Sequence, residues 1–137
     1  MRRFVSCLLP FVAWLSLTAC APITQVTNNS GFLIQEAKVA EVVFTEHIGD
    51  CAEGCSTAFK KVPRGHNRVS LQKAASSDVI DVGELGPFKF DWLEPKKYAV
   101  NVVTDAERVC AELWRRYQTD STFNDDTTRV RITTVCR

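Results

Sequence analysis

The apolar and polar positions of the chain follow two different patterns. The first twenty residues hold one nearly continuous apolar run, from Phe4 to Leu17, behind the basic pair Arg2-Arg3. From Ile23 onward the apolar residues form short groups that often alternate with polar residues, and Gly, Pro, Asn, Asp or Ser separates the groups. Alternation with a period of two is typical of strands. The two patterns predict a mainly β domain behind an N-terminal export signal.

Several strands can be placed by their β-branched and aromatic residues. Tyr98, Val100 and Val102 share one parity, which predicts that this side of their strand packs on the core. Residues 28–31 are predicted to form a turn and residues 47–61 a loop. The mixed parity of the apolar residues around Ala40 predicts a bulge there. The strands predicted before residue 104 span 23–27, about 32–45, 68–72, 79–82, 88–92 and 98–103.

Residues 104–118 fit either of two structures. In the first, Thr104 and Glu107 form a capping box, and the apolar residues that follow at helical spacing make an amphipathic helix at 105–118. In the second, residues 108–118 form a strand that pairs antiparallel with residues 127–136, whose β propensity is high.

The cysteine positions favour the hairpin. If it is centred near Phe123, opposed residues have numbers that sum to about 246, because strands pair in strict register. Cys110 then faces Cys136, and Trp114 faces Ile132. A helix could also bring Cys110 to the last strand, so this pairing of cysteines does not depend on the choice.

These elements predict a single β-sandwich over residues 25–137. Its architecture resembles that of small exported immunoglobulin-like or transthyretin-like sandwiches, and this resemblance carries no function. The segments that support it are Val26 to Gly31, Val62 to Gly65, and Lys97 to Val102.

The end of the apolar run, Leu17-Thr18-Ala19-Cys20, resembles the lipobox of bacterial lipoproteins. The resemblance implies that residues 1–19 are removed as a signal peptide and that Cys20 carries diacylglycerol and an N-acyl chain. Several acyl chains hold a protein durably to a membrane. Residues 20–24 are then a lipid-anchored tether. Ala21, where an Asp would favour retention at the inner membrane, implies the outer membrane, with the domain facing the periplasm or the cell surface.

Composition narrows the choice of partners. Removing the first 19 of 137 residues leaves 118, enough for one small domain. That part holds 15 Lys and Arg against 16 Asp and Glu, because Arg2 and Arg3 leave with the signal. A near-neutral balance argues against nucleic acid as a partner and predicts no polybasic patch for anionic lipid.

Six cysteines are present, and Cys7 leaves with the signal while Cys20 is lipidated. The remaining four predict two disulfides in an oxidising compartment. Spacing alone allows three connectivities. The preferred pairs are Cys51–Cys55 and Cys110–Cys136.

The segment Cys51-Ala-Glu-Gly-Cys55 is also a candidate metal or redox site, with His47 and His66 as further ligands. It resembles the CxxxC of copper-delivery proteins of the thioredoxin fold. It lacks the proline and the βαβ context of that family, so a structural disulfide is preferred.

Other candidate sites have simpler explanations. An aromatic strip of Phe88, Phe90 and Trp92 could stack on sugar, but alternating aromatics more often fill a core. Asp125-Asp126 lacks the spacing of a calcium loop and is typical of a turn. An interface hot spot is possible where two aromatic residues flank two arginines, Trp114, Arg115, Arg116 and Tyr117.

No nucleophile, base and carboxylate constellation is apparent in the sequence, so we expect a non-enzymatic protein without a cofactor. The expected function is that of a lipid-anchored envelope protein that binds a protein partner as an accessory or assembly component. Two alternatives remain open. One is a metal-handling or redox lipoprotein that uses Cys51, Cys55 and a His, and the other is a surface carbohydrate- or ligand-binding module.

Overall fold

The computed structural model describes residues 21–90, 96–117 and 129–137. The expected signal peptide, Cys20, Trp92 and Asp125-Asp126 lie outside these residues. The described part of the chain contains strands and no helix. The strands are β1 (Ile23–Asn29), β2 (Ile34–Val39), β3 (Val42–Phe44), β4 (Cys55–Ser56), β5 (Lys60–Lys61), β6 (Gly65–Lys73), β7 (Val79–Phe88), β8 (Lys96–Asp105), β9 (Arg108–Tyr117) and β10 (Arg129–Cys136).

Two sheets pack against each other as the predicted β-sandwich. Sheet A has the order β10-β9-β8-β1-β4, with β5 also pairing with β1, and sheet B has the order β3-β2-β6-β7. The pairing of β1 with β8 is parallel, whereas the other pairs are antiparallel. Tyr98, Val100 and Val102 are buried, which confirms the predicted core side of their strand.

The predicted long strand at 32–45 is a hairpin. Val39 pairs with Val42 across a two-residue turn, in which Ala40 has a φ of 56°. The prediction of a bulge was wrong because the parity of the apolar residues changes where the chain reverses. The predicted loop at 47–61 also contains two short strands, β4 and β5, which pair with β1.

Strand β7 replaces two predicted strands. It runs without a break from Val79 to Phe88, and Gly83, with a φ of 127°, lies within it at an irregularity in its pairing with β6. Of the predicted strand at 88–92, Phe88 ends β7, residues 89–90 belong to no strand, and residues 91–92 lie outside the described residues.

Residues 108–117 are a strand, so the hairpin prediction is confirmed over the helix. Asp105 pairs with Arg108, and the intervening Ala106 has a φ of 55°. The apparent capping box is therefore the tight turn of the β8–β9 hairpin.

The register of β9 and β10 follows the prediction only in part. Cys110 faces Cys136, and the predicted register, in which opposed residue numbers sum to 246, holds as far as Leu113, which faces Thr133. A bulge at Ile132 then shifts the ladder by one residue, so Trp114 faces Arg131 and the predicted pairing of Trp114 with Ile132 was wrong. A bulge inserts one unpaired residue and lets Ile132 pack against the core while Arg131 stays on the outer face.

The fold starts within the segment assigned to the tether. Ile23 and Thr24 belong to β1, Thr24 is fully buried, and Ala21 is 3% exposed. The Val62 amide donates a hydrogen bond to the Pro22 carbonyl over 3.1 Å. Residues 21–24 are therefore part of the domain rather than a free spacer.

Candidate functional site

Both disulfides preferred from the sequence are present. Cys51 is bonded to Cys55, and Cys110 is bonded to Cys136 across the β9–β10 ladder. The Cys51–Cys55 loop is held against the end of β1, because the buried Asn28 donates from Nδ2 to the Cys51 carbonyl over 3.1 Å. The same amide group donates to the Phe32 carbonyl over 2.8 Å. The loop is therefore a fixed part of the sandwich.

The candidate metal ligands are not assembled. Both cysteine sulfurs are engaged in the disulfide, and His47 and His66 are exposed. Since His66 is near the start of β6, topology places it at the end of the sandwich opposite the disulfide loop. In the described ranges, no group of three His, Cys, Asp or Glu side chains could hold a metal ion.

The two members of the aromatic strip that the structure describes, Phe88 and Phe90, do not form an exposed surface. Phe88 is 1% exposed and packs against Tyr98 with 5.5 Å between ring centroids, so it belongs to the core. Phe90 is half-buried. Trp92, the third member, lies outside the described residues.

A depression on the outer face of sheet A is the best-built candidate site, with a volume of about 320 Å³. Its floor holds Gln25 and Ala99, which are 8% and 6% exposed. They lie in one cross-strand row with Trp114, since Gln25 faces Ala99 and Ala99 faces Trp114. The small Ala99 side chain leaves space between the two larger ones. We call this surface the polar face; its lining residues are Gln25, Thr27, Asn29, Gly54, Ser56, Ala99, Asn101, Trp114 and Arg129.

A chain of hydrogen bonds crosses the polar face. The Gly54 amide donates to Asn29 Oδ1 over 2.7 Å, and Asn29 Nδ2 donates to Asn101 Oδ1 over 2.6 Å. Asn101 Nδ2 donates in turn to Glu112 Oε1 over 3.0 Å. The chain joins the disulfide loop to β9, so the loop forms one wall of the depression. These hydrogen bonds hold the side chains of the polar face in place without a ligand.

Trp114 ends this chain and is the largest side chain on the polar face. Its Nε1 donates to Glu112 Oε1 over 3.1 Å, and the Arg129 guanidinium lies 5.1 Å from its ring centroid. Arg131 Nη1 lies 3.4 Å from the second Glu112 oxygen. The ring is half-buried and held on both sides, so it presents a preorganised aromatic surface beside cationic groups.

Gln25 differs from its neighbours on the polar face. Within the part of the chain that the structure describes, its side-chain amide takes part in no hydrogen bond, and it reaches the solvent that fills the depression. A ligand or partner group that enters the depression could supply the bond.

Sequence reasoning found Trp114 but not the residues around it. The hot-spot hypothesis had grouped Trp114 with Arg115, Arg116 and Tyr117. Arg116 is instead 1% exposed. Gln25, Thr27 and Asn29 share the parity of β1 that faces away from the buried Val26. Polar residues are usual at outward-facing strand positions, so the sequence carried no specific signal for them.

The clearest pKa shifts lie on the other sheet. Arg68 Nη1 donates to Asp81 Oδ2 over 2.7 Å between β6 and β7. This hydrogen bond and the attraction between the charges hold the pKa of Asp81 below its ordinary value and raise that of Arg68. Both side chains are largely exposed, so the pair is a surface ion pair of sheet B.

The chain matches no protein-family model, no curated protein and no solved structure. In the described ranges there is no helix long and apolar enough to cross a membrane. The two disulfides fit an oxidising, extracytoplasmic compartment, because such bonds are rare in the cytosol.

Proposed function

We propose that the chain is a lipid-anchored envelope protein whose sandwich binds a protein partner through the polar face, without catalysing a reaction. The anchor is supported by the lipobox at Leu17 to Cys20 and by the oxidised cysteine pairs of the domain. The binding role rests on the polar face, where Trp114 and its hydrogen-bonded neighbours form a prearranged surface.

The residue types of the polar face suit a protein interface. Trp and Arg are enriched among the residues that contribute most to protein association, and Trp114 stands against Arg129. Ordering flexible side chains opposes binding by about 0.5–1.5 kcal/mol each. Because Asn29, Asn101 and Glu112 are already held by one another, much of that cost is absent here. Truncation of Trp114 should therefore weaken binding by about 2 kcal/mol or more.

The anchor is tested by Cys20→Ser in the full chain. We expect the wild-type protein to incorporate labelled palmitate and to partition with membranes, and the variant to lose both. A variant that keeps its membrane partitioning and its processed size would contradict lipidation at Cys20.

The polar face is tested by photo-crosslinking in living cells. A photoreactive residue at Thr27 should give a discrete adduct, and the same residue at Ser70, on sheet B, should not. Trp114→Ala should abolish the adduct, whereas Val79→Ala, a truncation of a 64% exposed side chain on sheet B, should leave it unchanged. Equal adducts from both sheets, or an adduct insensitive to Trp114→Ala, would refute the assignment.

A small polar ligand, such as a saccharide, is the second candidate occupant. The unengaged Gln25 amide favours it, and the volume of about 320 Å³ lies at the lower end of ligand pockets. Titration with cell-envelope oligosaccharides should then change the Trp114 fluorescence in a Trp92→Phe background. Gln25→Ala should remove that response, and a response that survives it would exclude this site.

A further inference from the structure

The start of β1 is bordered by a small apolar and cationic surface. Ile23 faces Lys61 of β5 on one side and Lys97 of β8 on the other. Phe59 lies beside them, and Lys97 Nζ is 5.0 Å from its ring centroid. We call this surface the anchor-side patch; it consists of Ile23, Phe59, Lys60, Lys61 and Lys97.

The lysines of the patch differ in their contacts and in their exposure to solvent. Lys60 Nζ donates to the Val43 carbonyl over 2.7 Å and lies 3.6 Å from Glu46 Oε1, which offsets its charge. Lys61 is exposed and Lys97 is half-buried, so these two supply most of the outward positive charge. The near-neutral composition predicted no basic patch, but folding brings the separated lysines to one place.

The patch lies close to the proposed anchor. Only Ala21 and Pro22 separate Cys20 from Ile23, and Pro22 is fixed by its hydrogen bond to the Val62 amide. Three Cα steps of 3.8 Å reach at most about 11 Å. Lys61 and Lys97 lie one strand spacing of about 4.8 Å from Ile23, so a lipid on Cys20 would be attached within about 16 Å of their backbone.

We propose that the anchor-side patch rests on the anionic phospholipid headgroups of the bilayer that holds Cys20, and so sets the orientation of the domain. This inference rests on the lipid anchor proposed above. Lysine ammonium groups favour an anionic surface, and an apolar ring such as that of Phe59 favours the boundary between headgroups and acyl chains. For Lys61 and Lys97 together, the docked orientation should be favoured roughly thirty-fold over that on neutral lipid.

In the docked orientation the disulfide loop lies away from the bilayer. Asn28, near the far end of β1, pairs with Cys55, so the disulfide loop lies at the end of the sandwich away from the bilayer. The patch and the polar face lie on the same outer side of sheet A, and the polar face extends from Gln25 toward the disulfide loop, away from the bilayer.

The test uses the full acylated chain in detergent and in vesicles of phosphatidylcholine with and without phosphatidylglycerol. Flotation first establishes that the protein is anchored. An amine-reactive reagent, read by mass spectrometry, then measures each lysine. We expect Lys61 and Lys97 to react several-fold more slowly in phosphatidylglycerol vesicles than in detergent. Lys73, an exposed lysine at the far end of sheet B, should react equally in both.

A pair of double variants provides the matched control. Lys60, which belongs to the same patch, should also react more slowly in phosphatidylglycerol vesicles. Lys61→Glu with Lys97→Glu should return the reactivity of Lys60 to its value in detergent, whereas Lys73→Glu with Arg108→Glu, at the far end of the strands, should not. A protein that floats but shows no protection of Lys61 and Lys97 would overturn the patch and leave the anchor standing. Failure to float would overturn both proposals.

Discussion

Removal of the two disulfides should destabilise the domain to different degrees. The Cys110–Cys136 bond links residues 26 apart, and the Cys51–Cys55 bond links residues 4 apart. A cross-link acts mainly by restricting the unfolded chain, and the restriction grows with the length of the closed loop. The loop-closure relation gives about 3.5 kcal/mol for the first bond and about 2 kcal/mol for the second.

We therefore expect paired Cys→Ala variants to differ by about 1.5 kcal/mol in the free energy of unfolding. Replacing both partners avoids an unpaired thiol. In the native state the β9–β10 ladder holds Cys110 and Cys136 together, and Asn28 and Asn29 hold the Cys51–Cys55 loop, so both variants should keep the wild-type fold. Urea unfolding of the full chain in mild detergent, followed by tryptophan fluorescence and circular dichroism, gives the two values. Equal losses, or a larger loss from Cys51–Cys55, would refute the loop-length reasoning.

Three further substitutions test the described contacts. Tyr98→Phe keeps the ring beside Phe88 but leaves the Lys89 amide without its 3.0 Å acceptor, and should cost about 1–2 kcal/mol in urea unfolding. A loss below about 0.3 kcal/mol would contradict that bond. Asn28→Ala removes the donor to two carbonyls and the acceptor for Ser30, and should lower the free energy of unfolding by about 3 kcal/mol. A loss under about 1 kcal/mol would mean that other contacts hold the disulfide loop. The lowered pKa of Asp81 means that its carboxylate stabilises the fold at neutral pH and that this contribution is lost as the pH falls through the folded-state pKa. Arg68→Gln should raise that pKa in a carboxyl NMR titration, and an unchanged titration would argue against the ion pair.

The elements predicted correctly are those governed by local pattern. The alternation at Tyr98, Val100 and Val102 reports directly which side of a strand is buried, because side chains alternate across a sheet. The pairing of Cys110 with Cys136 could be predicted because an antiparallel register, once centred, assigns every opposed pair. A single bulge at Ile132 was enough to break the same register for Trp114.

The candidate site could be predicted only in part. Trp114 was identified from its residue type, but a long stretch of chain separates Gln25 and Asn29 from Asn101. The hydrogen bond between Asn29 and Asn101, and the position of Gln25 beside Ala99, depend on β1 lying parallel to β8, a pairing of strands distant in the sequence. No periodicity within a segment carries that information.

The sequence by itself determined the class of the fold, the preferred cysteine pairs and the expectation of a lipid anchor, because each depends on residues close together or on a simple register. The tertiary structure decided where Ala40 and Ala106 reverse the chain, and it brought Gln25 beside Trp114 and Lys61 beside Lys97. The reason is physical: burial and alternation act along one strand, whereas the order of strands in a sheet depends on how all of them together cover one core.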